Sequence, residues 1–319
     1  MRIILITPAP LRSRAGNRTT AARWAHLLRS LGHRVEVATR YEGQAAELMI
    51  ALHAWRSADS VVAFRARYPD RPLVVAITGT DAYRFIHSDP EVTLRSLALA
   101  DRLVGLHDRI AEALPADVRH KLQVIYQSAE PVSRRQPYTR YFHVAVMGHL
   151  REEKDPLRPA LAARLLPASS HIQIHQYGKA HSPEWADQAR AEMAINPRYH
   201  WHGECPHYQV RRVYQRTHLL LLPSRMEGGA NVISEAVVAG VPVIASDIEG
   251  SKGLLGESYP GYYPVGDEKA LSTLLLRVES DPTFYRSLQR AGQAIRGRFT
   301  QAGEARAWQR LLGQLDAGA

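Results

Sequence analysis

Apolar positions fall along this chain in short runs rich in β-branched residues, separated by stretches with helical spacing. In the first part the runs are "RIILIT", "RVEVAT", "ELMIAL", "PLVVAIT", "RLVGL" and "LQVIY", with "NRTTAARWAHLLRSLG", "AWRSADSVVAFRARY" and "RSLALA" among them. Taken together the strand-like runs lack polar alternation, so both faces of each are expected to be buried, as in a parallel sheet covered by helices. That predicts a doubly wound α/β domain. From Ser128 to Tyr141 the pattern lapses into proline, arginine and polar residues, "SAEPVSRRQPYTRY", which reads as a linker. The alternation then restarts with "FHVAVMG", "DPLRPALAARLL", "HIQIHQYG", "EWADQARAEMA", "YHWHG", "YQVRRVYQRT", "LLLLP", "NVISEAVVAG" and "PVIAS". From Asp267 the segments "ALSTLLLRVES", "DPTFYRSLQRAGQAIRGRF" and "EARAWQRLLGQL" carry apolar residues three and four apart, a helical tail. The expected fold is α/β, two doubly wound Rossmann-like domains facing a cleft. They span 1–135 and 136–298, with a C-terminal helix over 299–319 packing back on the first.

At 319 residues and 35.7 kDa the chain exceeds what one hydrophobic core usually spans, in keeping with two domains. No apolar run approaches the roughly 20 residues of a membrane helix, and "MRIILITPAP" is broken too early by proline to be a signal peptide. A cytoplasmic protein without membrane contact is expected. A single cysteine, Cys205, excludes an intrachain disulfide and a cysteine-rich metal site. The net charge of +10 comes mostly from arginines that are scattered, not gathered in runs. That argues against nucleic acid as a partner and for an arginine-rich surface, with some guanidiniums reserved for anionic substrates.

The most specific chemistry lies in "SRMEGGANVISEAVVAGVPVIAS", Ser224–Ser246. After the buried run "LLLLP" the chain turns through Glu227, Gly228, Gly229 and Ala230 and enters a helix at Asn231, an acceptable N-cap. Glycines let a backbone approach a ligand closely, and N–H groups at a helix start favour an anion such as a diphosphate. Glu235 within the helix and Glu227 ahead of it are placed on a solvated turn to accept hydrogen bonds from sugar hydroxyls. At another strand end, "MGHLREEKD" puts His149, Arg151 and Lys154 after Gly148, cations that would neutralise a leaving diphosphate. The first strand opens into "TPAPLRSRAGNRTTAARWA", where Gly16 precedes a helix without the GxGxxG spacing of a dinucleotide fold. Arg12, Arg14 and Arg18, with Asn17 beside them, make that loop anion-facing if it lines the cleft. No carboxylate cluster suited to a metal is visible, so neither a metal nor another cofactor is expected.

These residues resemble a known pattern. "EGGANVISEAVVAGVPVIAS", with the spacing of Glu227 and Glu235, is similar to the signature of retaining GT-B glycosyltransferases, the family 4-like clan of sucrose and glycogen synthases. "VMGHLREEKD" looks like that clan's Gly-Arg-Leu…Lys-Gly loop, "LQVIYQSAE" like its pre-linker motif and "ADRLVGL" like its acceptor-domain strand, in the same order along nearly the whole chain. The resemblance implies a GT-B fold and a UDP-sugar donor. It implies that Glu235 holds the ribose hydroxyls, that Glu227 acts near the donor sugar, and that Lys154 binds the diphosphate. Gly228, Gly229, Ala230 and Asn231 would offer their amides to sugar and phosphates. His149 stands where the clan has an arginine, with Arg151 two positions later as the substitute cation. His53 and Asp81 sit where the clan places polar residues that meet acceptor or donor sugar, and Arg56 is counted with them.

A narrower resemblance rests on "ITPAPLRSRAGNRTTAARWA", "ALHAWRSADSV", "ITGTD", "GHLREEKDP", "LAARLLPASS", "SRMEGGANVISEA" and "GLLGESYPGYYPVGD". These are similar to the selenosugar synthases of the selenoneine pathway. The resemblance implies that the sugar of a UDP-sugar, typically UDP-N-acetylglucosamine, is joined to selenophosphate through a carbon–selenium bond. It also implies linkage to selenophosphate synthetase and to the downstream selenoneine-forming enzyme. Selenium is already a strong nucleophile, so a dedicated base is less necessary. The clan implies retention and a β-selenosugar product implies inversion, and both stay open. Two other readings stand beside this one: a GT-B enzyme acting on a hydroxyl acceptor, and a nucleotide-sugar-binding protein without catalysis.

Overall fold

Runs of Ile, Leu and Val satisfy their backbone in a ladder and their side chains in a core, and here they do both. The structure is a computed structural model that describes residues 1–10 and 16–316. The chain divides into two compact units, one of Met1–Ser128, Glu227–Asn231 and Thr300–Ala319, the other of Ala129–Met226 and Val232–Phe299.

The first unit is built on β1 (Arg2–Ile6), β2 (Arg34–Ala38), β3 (Leu48–Leu52), β4 (Leu73–Ala76), β5 (Arg102–Gly105) and β6 (Leu122–Val124). All pair in parallel in the order β2-β1-β3-β4-β5-β6. The order reverses between β1 and β3, so their carboxyl ends open the crevice where ligands of such sheets bind. Helices α1 (Gly16–Ser30), α2 (Ala58–Arg67), the single turn α3 (Ile86–Ser88) and α4 (Pro90–Leu99) cover the sheet.

The second unit repeats the plan with β7 (Phe142–Met147), β8 (Ile172–Tyr177), β9 (Tyr199–Trp201), β10 (Leu219–Leu222), β11 (Val243–Ser246) and β12 (Tyr262–Tyr263). The order is β12-β11-β10-β7-β8-β9, again parallel, with the switch point between β7 and β10. Its helices are α5 (Arg158–Arg164), α6 (Pro183–Ile195), α7 (His207–Arg216), α8 (Asn231–Ala239), α9 (Glu249–Leu255), α10 (Glu268–Ser280) and α11 (Pro282–Ile295). Asp267 and Asp281 start α10 and α11 as N-caps, each accepting from two backbone N–H groups. The last helix, α12 (Gln301–Asp316), returns to the core of the first unit, where Trp308 meets Trp24 edge to face at 4.8 Å. Glu304 of α12, 1% exposed, accepts from Trp24 Nε1 at 2.8 Å and from the Ser128 N–H at 3.0 Å. Among the described residues no helix is long and apolar enough to cross a membrane.

The expectation of strands buried on both faces fails at one edge of the second sheet. In β8, Ile172, Ile174 and Gln176 are buried while Gln173, His175 and Tyr177 are only half-buried, the alternation already present in "IQIHQY". On that face His175 stacks on His143 at 4.2 Å, and its Nδ1 lies 2.9 Å from His202 Nε2. Burial, reinforced by His218 and His202, pushes His143 down to about 3, and burial with Arg135 pushes His218 to about 4. Folded-state values below the ordinary 6.5 mean that the unfolded chain binds protons first. Stability is therefore fully present above pH 6.5 and drains as pH falls toward 4. Urea midpoints at about pH 7, 5.5 and 4.5 are expected to fall steadily, and His143→Asn to flatten the slope.

Candidate active site

In the first unit the exit of β3 is strained. His53 has a φ of 75°, a left-handed conformation that residues with a Cβ avoid. Its Nδ1 accepts from the Arg56 N–H at 3.2 Å, which puts the ring proton on Nε2, 2.9 Å from Thr80 Oγ1. Burial lowers its pKa against the opposing pull of Asp81, so the ring is neutral at pH 7. With both nitrogens engaged, His53 shapes the turn after β3.

Asp81 also departs from expectation. It is 0% exposed, and its oxygens accept from the N–H groups of Ala54, Thr78, Gly79 and Ala82 at 2.7–3.2 Å. It clamps the exits of β3 and β4 from within and is not open to an acceptor.

The turn Glu227–Asn231 belongs to this same unit. A Cβ added to Gly228 would lie 2.2 Å from Gly79 Cα, one on Gly79 would lie 2.6 Å from Gly228 N, and one on Gly229 would lie 2.4 Å from Leu106 Cβ. The glycine pair is thus demanded by close packing on Thr78–Gly79 and Leu106, beyond any approach to a ligand. Glu227, expected on a solvated turn, is 8% exposed, and Ala230 is buried. Asn231, expected as an N-cap, accepts on its Oδ1 from Arg23 Nη1 at 3.0 Å. Gln127 joins the pair, its carboxamide accepting from Thr20 Oγ1 and Arg23 Nη2 while donating to Gly229 O at 3.1 Å and Asn231 Oδ1 at 2.8 Å. Arg23 and Gln127 were not singled out from the sequence, because contacts across about 100 to 200 residues leave no local signal. Gly16 opens α1 with open space where a Cβ would stand. The Asn17 carbonyl accepts from Thr7 Oγ1 at 3.3 Å, and Arg18 is half-buried on the first turn. Arg12 and Arg14 lie outside the described residues.

In the second unit the exits of β7 and β10 carry the charge. The Lys154 stem lies over Gly148, where a Cβ would sit 3.7 Å from Lys154 Cδ. Asp155, at φ 41°, ends the short turn Glu152–Lys154 and accepts from Arg158 Nε at 3.0 Å. The Arg225 N–H donates to Glu153 O at 2.9 Å, tying the two exits together, and Arg225 Nη2 stands 3.8 Å from Asp155 Oδ1. Arg151 Nε is 3.9 Å from Glu153 Oε2. His149 accepts from the Lys179 N–H on Nδ1 at 3.1 Å, and burial, then His181 and Arg151, push it down to about 4. It therefore adds no positive charge at pH 7. Glu235 is half-buried on α8, and its Oε2 accepts from Tyr214 OH at 3.1 Å. Burial raises the Tyr214 pKa, which keeps that hydroxyl a donor. Neither Arg225 nor Tyr214 was singled out from the sequence; the place of Arg225 between strand and glutamate is a signal that could have found it, and Tyr214 has none. Among the described residues no group of three or more His, Cys, Asp or Glu is arranged to hold a metal ion.

Residues 133–296 match the family of "Glycosyl transferases group 1". The chain is 26% identical to a glycogen synthase of Mycobacterium tuberculosis over 79% of its own length, and it spans 64% of that relative's length. Among solved structures it is similar to sucrose-phosphate synthase from Thermosynechococcus elongatus, with a TM-score of 0.81, 16% identity and 100% of both chains covered. It is also similar to Anabaena HepE in complex with UDP, with a TM-score of 0.78, 16% identity, and 98% of this chain and 99% of that one covered. A HepE structure in complex with UDP-glucose gives a TM-score of 0.77 at 16% identity, covering 99% and 100%. These likenesses show the fold, two parallel α/β units of the GT-B class with a helical C-terminal region.

Proposed function

We infer what this chain does from the family it belongs to, the glycosyl transferases of group 1: it transfers a sugar from a nucleotide-sugar donor to an acceptor. A UDP-sugar is the donor, a reading supported by the complexes of HepE with UDP and with UDP-glucose. The observation that carries the reading is the pair of strand exits flanking the β7–β10 switch point, one leading to Lys154 and the other to Glu235. Glu235, steadied by Tyr214, accepts from the ribose hydroxyls. Lys154 and Arg151 face the diphosphate, and the amides of Gly228, Gly229, Ala230 and Asn231 meet sugar and phosphates. Glu227 stands near the donor sugar.

The finer reading is that UDP-N-acetylglucosamine is the donor and selenophosphate the acceptor, supported by the selenosugar-synthase-like strings in both units. The selenium lone pair attacks the anomeric carbon, the C–Se bond forms, and the C–O bond breaks with its electron pair leaving on UDP. Water then cleaves the Se–P bond, giving the seleno-sugar and orthophosphate. Mass spectrometry of a mixture of protein, UDP-N-acetylglucosamine and selenophosphate should show a 1-seleno-N-acetylhexosamine together with UDP. Product that forms only with a hydroxyl acceptor would move the chain to ordinary glycosyl transfer, and no product with either would leave it a binding protein.

Glu235→Ala is expected to weaken UDP binding by about 1.5–3 kcal/mol, the worth of hydrogen bonds to a charged acceptor. Calorimetric titration with UDP checks this, and a wild-type Kd in a folded variant removes Glu235 from the site.

A further inference from the structure

Packing fixes where the Gly228–Gly229 turn lies, since Gly79 and Leu106 leave no room for a Cβ. It does not fix how the peptide planes are rotated, because glycines turn about their backbone bonds more freely than other residues. That task falls to hydrogen bonds, and they come from three segments of the first unit that are far apart in sequence. Gln127, 2% exposed just after β6, donates to Gly229 O at 3.1 Å and to Asn231 Oδ1 at 2.8 Å. Arg23 of α1 donates to the same Asn231 oxygen at 3.0 Å. Its Nε donates at 3.2 Å to Glu304 of α12, a carboxylate 1% exposed and also held by Trp24 and Ser128. The bonds therefore run from a buried anchor, through a guanidinium, to the turn.

A buried carboxamide can sit in two orientations, and Arg23 chooses between them. Reversed, Gln127 would turn its oxygen toward two acceptors, Gly229 O and Asn231 Oδ1, and its NH2 toward the Arg23 Nη2 donor. With Nη2 donating to the Gln127 carbonyl at 3.0 Å, the NH2 is left facing the turn. A trans peptide points its carbonyl and the following N–H in opposite directions. Gln127 on the Gly229 carbonyl therefore aims the Ala230 N–H to the side away from itself. We propose that Arg23 and Gln127 are positioning residues for the donor's diphosphate: Arg23 sets the Gln127 carboxamide, and Gln127 sets the peptide plane whose N–H the phosphates meet. The proposal rests on the transferase reading above and adds to it the residues that aim the turn. Both act through the backbone, without a contact of their own to the donor.

UDP and uridine are titrated separately into the whole chain by calorimetry, uridine carrying the ribose hydroxyls and no phosphate. Gln127→Met keeps the volume and loses the bonds. Arg23→Lys keeps the charge toward Glu304 but has no fork to reach Asn231 and Gln127 together. Each is expected to weaken UDP about five- to tenfold, the scale of one hydrogen bond, while uridine stays within about twofold of wild type. A side chain that only supported the fold would lower both affinities together. Because Arg23 acts through Gln127, the double variant should fall well short of the product of the single losses. Hydrogen exchange in the ligand-free chain gives a second reading: amides over 228–231 should exchange about tenfold faster in both variants, while those of β1 and β4 keep their wild-type rates. Wild-type UDP affinity in the folded variants, equal losses for UDP and uridine, the full product in the double variant, or unchanged exchange over 228–231 overturns the proposal and leaves the transferase reading standing. A wild-type chain that binds no UDP removes the transferase reading, and the proposal with it. Where Gln127→Met fails to fold, Gln127→Glu takes its place with the same expected outcomes, since it keeps the acceptor for Arg23 and loses the donor to Gly229 O.

Discussion

Lys154→Ala is expected to lower kcat by about 100-fold, the scale of removing one preorganised charge from a transition state. Negative charge grows on the departing diphosphate as the glycosidic bond breaks, so a cation there acts more on the transition state than on the bound donor. The neighbours do little to replace it. His149 is neutral at pH 7 because burial holds it at about 4. Arg151 has Glu153 at 3.9 Å and Arg225 has Asp155 at 3.8 Å, so part of their charge is already answered. The Arg225–Glu153 backbone bond and the left-handed Asp155 hold the loop's shape without the lysine amine, so the fold should survive the substitution. Lys154→Arg should fall between, keeping the charge with a different geometry. Steady-state kinetics with the donor varied decides the matter. A kcat within about threefold of wild type, under the 1.4 kcal/mol that makes a tenfold effect, would make the loop structural.

The sheets were legible because their strands are continuous apolar runs such as "RIILI" and "LLLL", which nothing but a covered parallel sheet would bury so completely. Two elements of the second unit gave no such signal. β12 is only Tyr262–Tyr263, and α9 carries Gly250 and Gly253 inside "EGSKGLL", which weakens any helical reading. The motif Glu227–Glu235 was legible as a site, but the reason for its glycines was not. They pack on Gly79 and Leu106, which lie more than 100 positions away in the sequence. The same distance hid the burial of Glu227, whereas Asp81 was hidden because its partners, 1 to 27 positions away, are backbone N–H groups that no side-chain pattern marks. His149 shows the limit in electrostatic form: a histidine after a strand-end glycine reads as a possible cation until its burial is known.

Asp81→Asn is expected to destabilise the first unit by about 3 kcal/mol, although it changes the side chain's volume hardly at all. Oδ1 accepts from Thr78, Gly79 and Ala82, and Oδ2 from Ala54 and Thr78, so every hydrogen bond to the two oxygens comes from a backbone N–H. An amide must place its NH2 on one of those sides, where it meets donors, and the one acceptor near, His53 Nδ1 at 3.9 Å from Oδ2, is beyond hydrogen-bond distance and already engaged by the Arg56 N–H. The residue is fully buried, so no water can repair the mismatch. For a unit of this size the loss corresponds to a melting temperature lower by about 6–12 °C. The effect should reach function at temperatures where the variant is still folded, because the Thr78–Gly79 backbone that Asp81 holds is the surface on which Gly228 packs. Sugar transfer should therefore fall further than the folded fraction does, a split that thermal melts and activity measured on one preparation will show. A melting temperature within about 2 °C of wild type would mean that the strand exits are held by other bonds and that Asp81 is not their clamp.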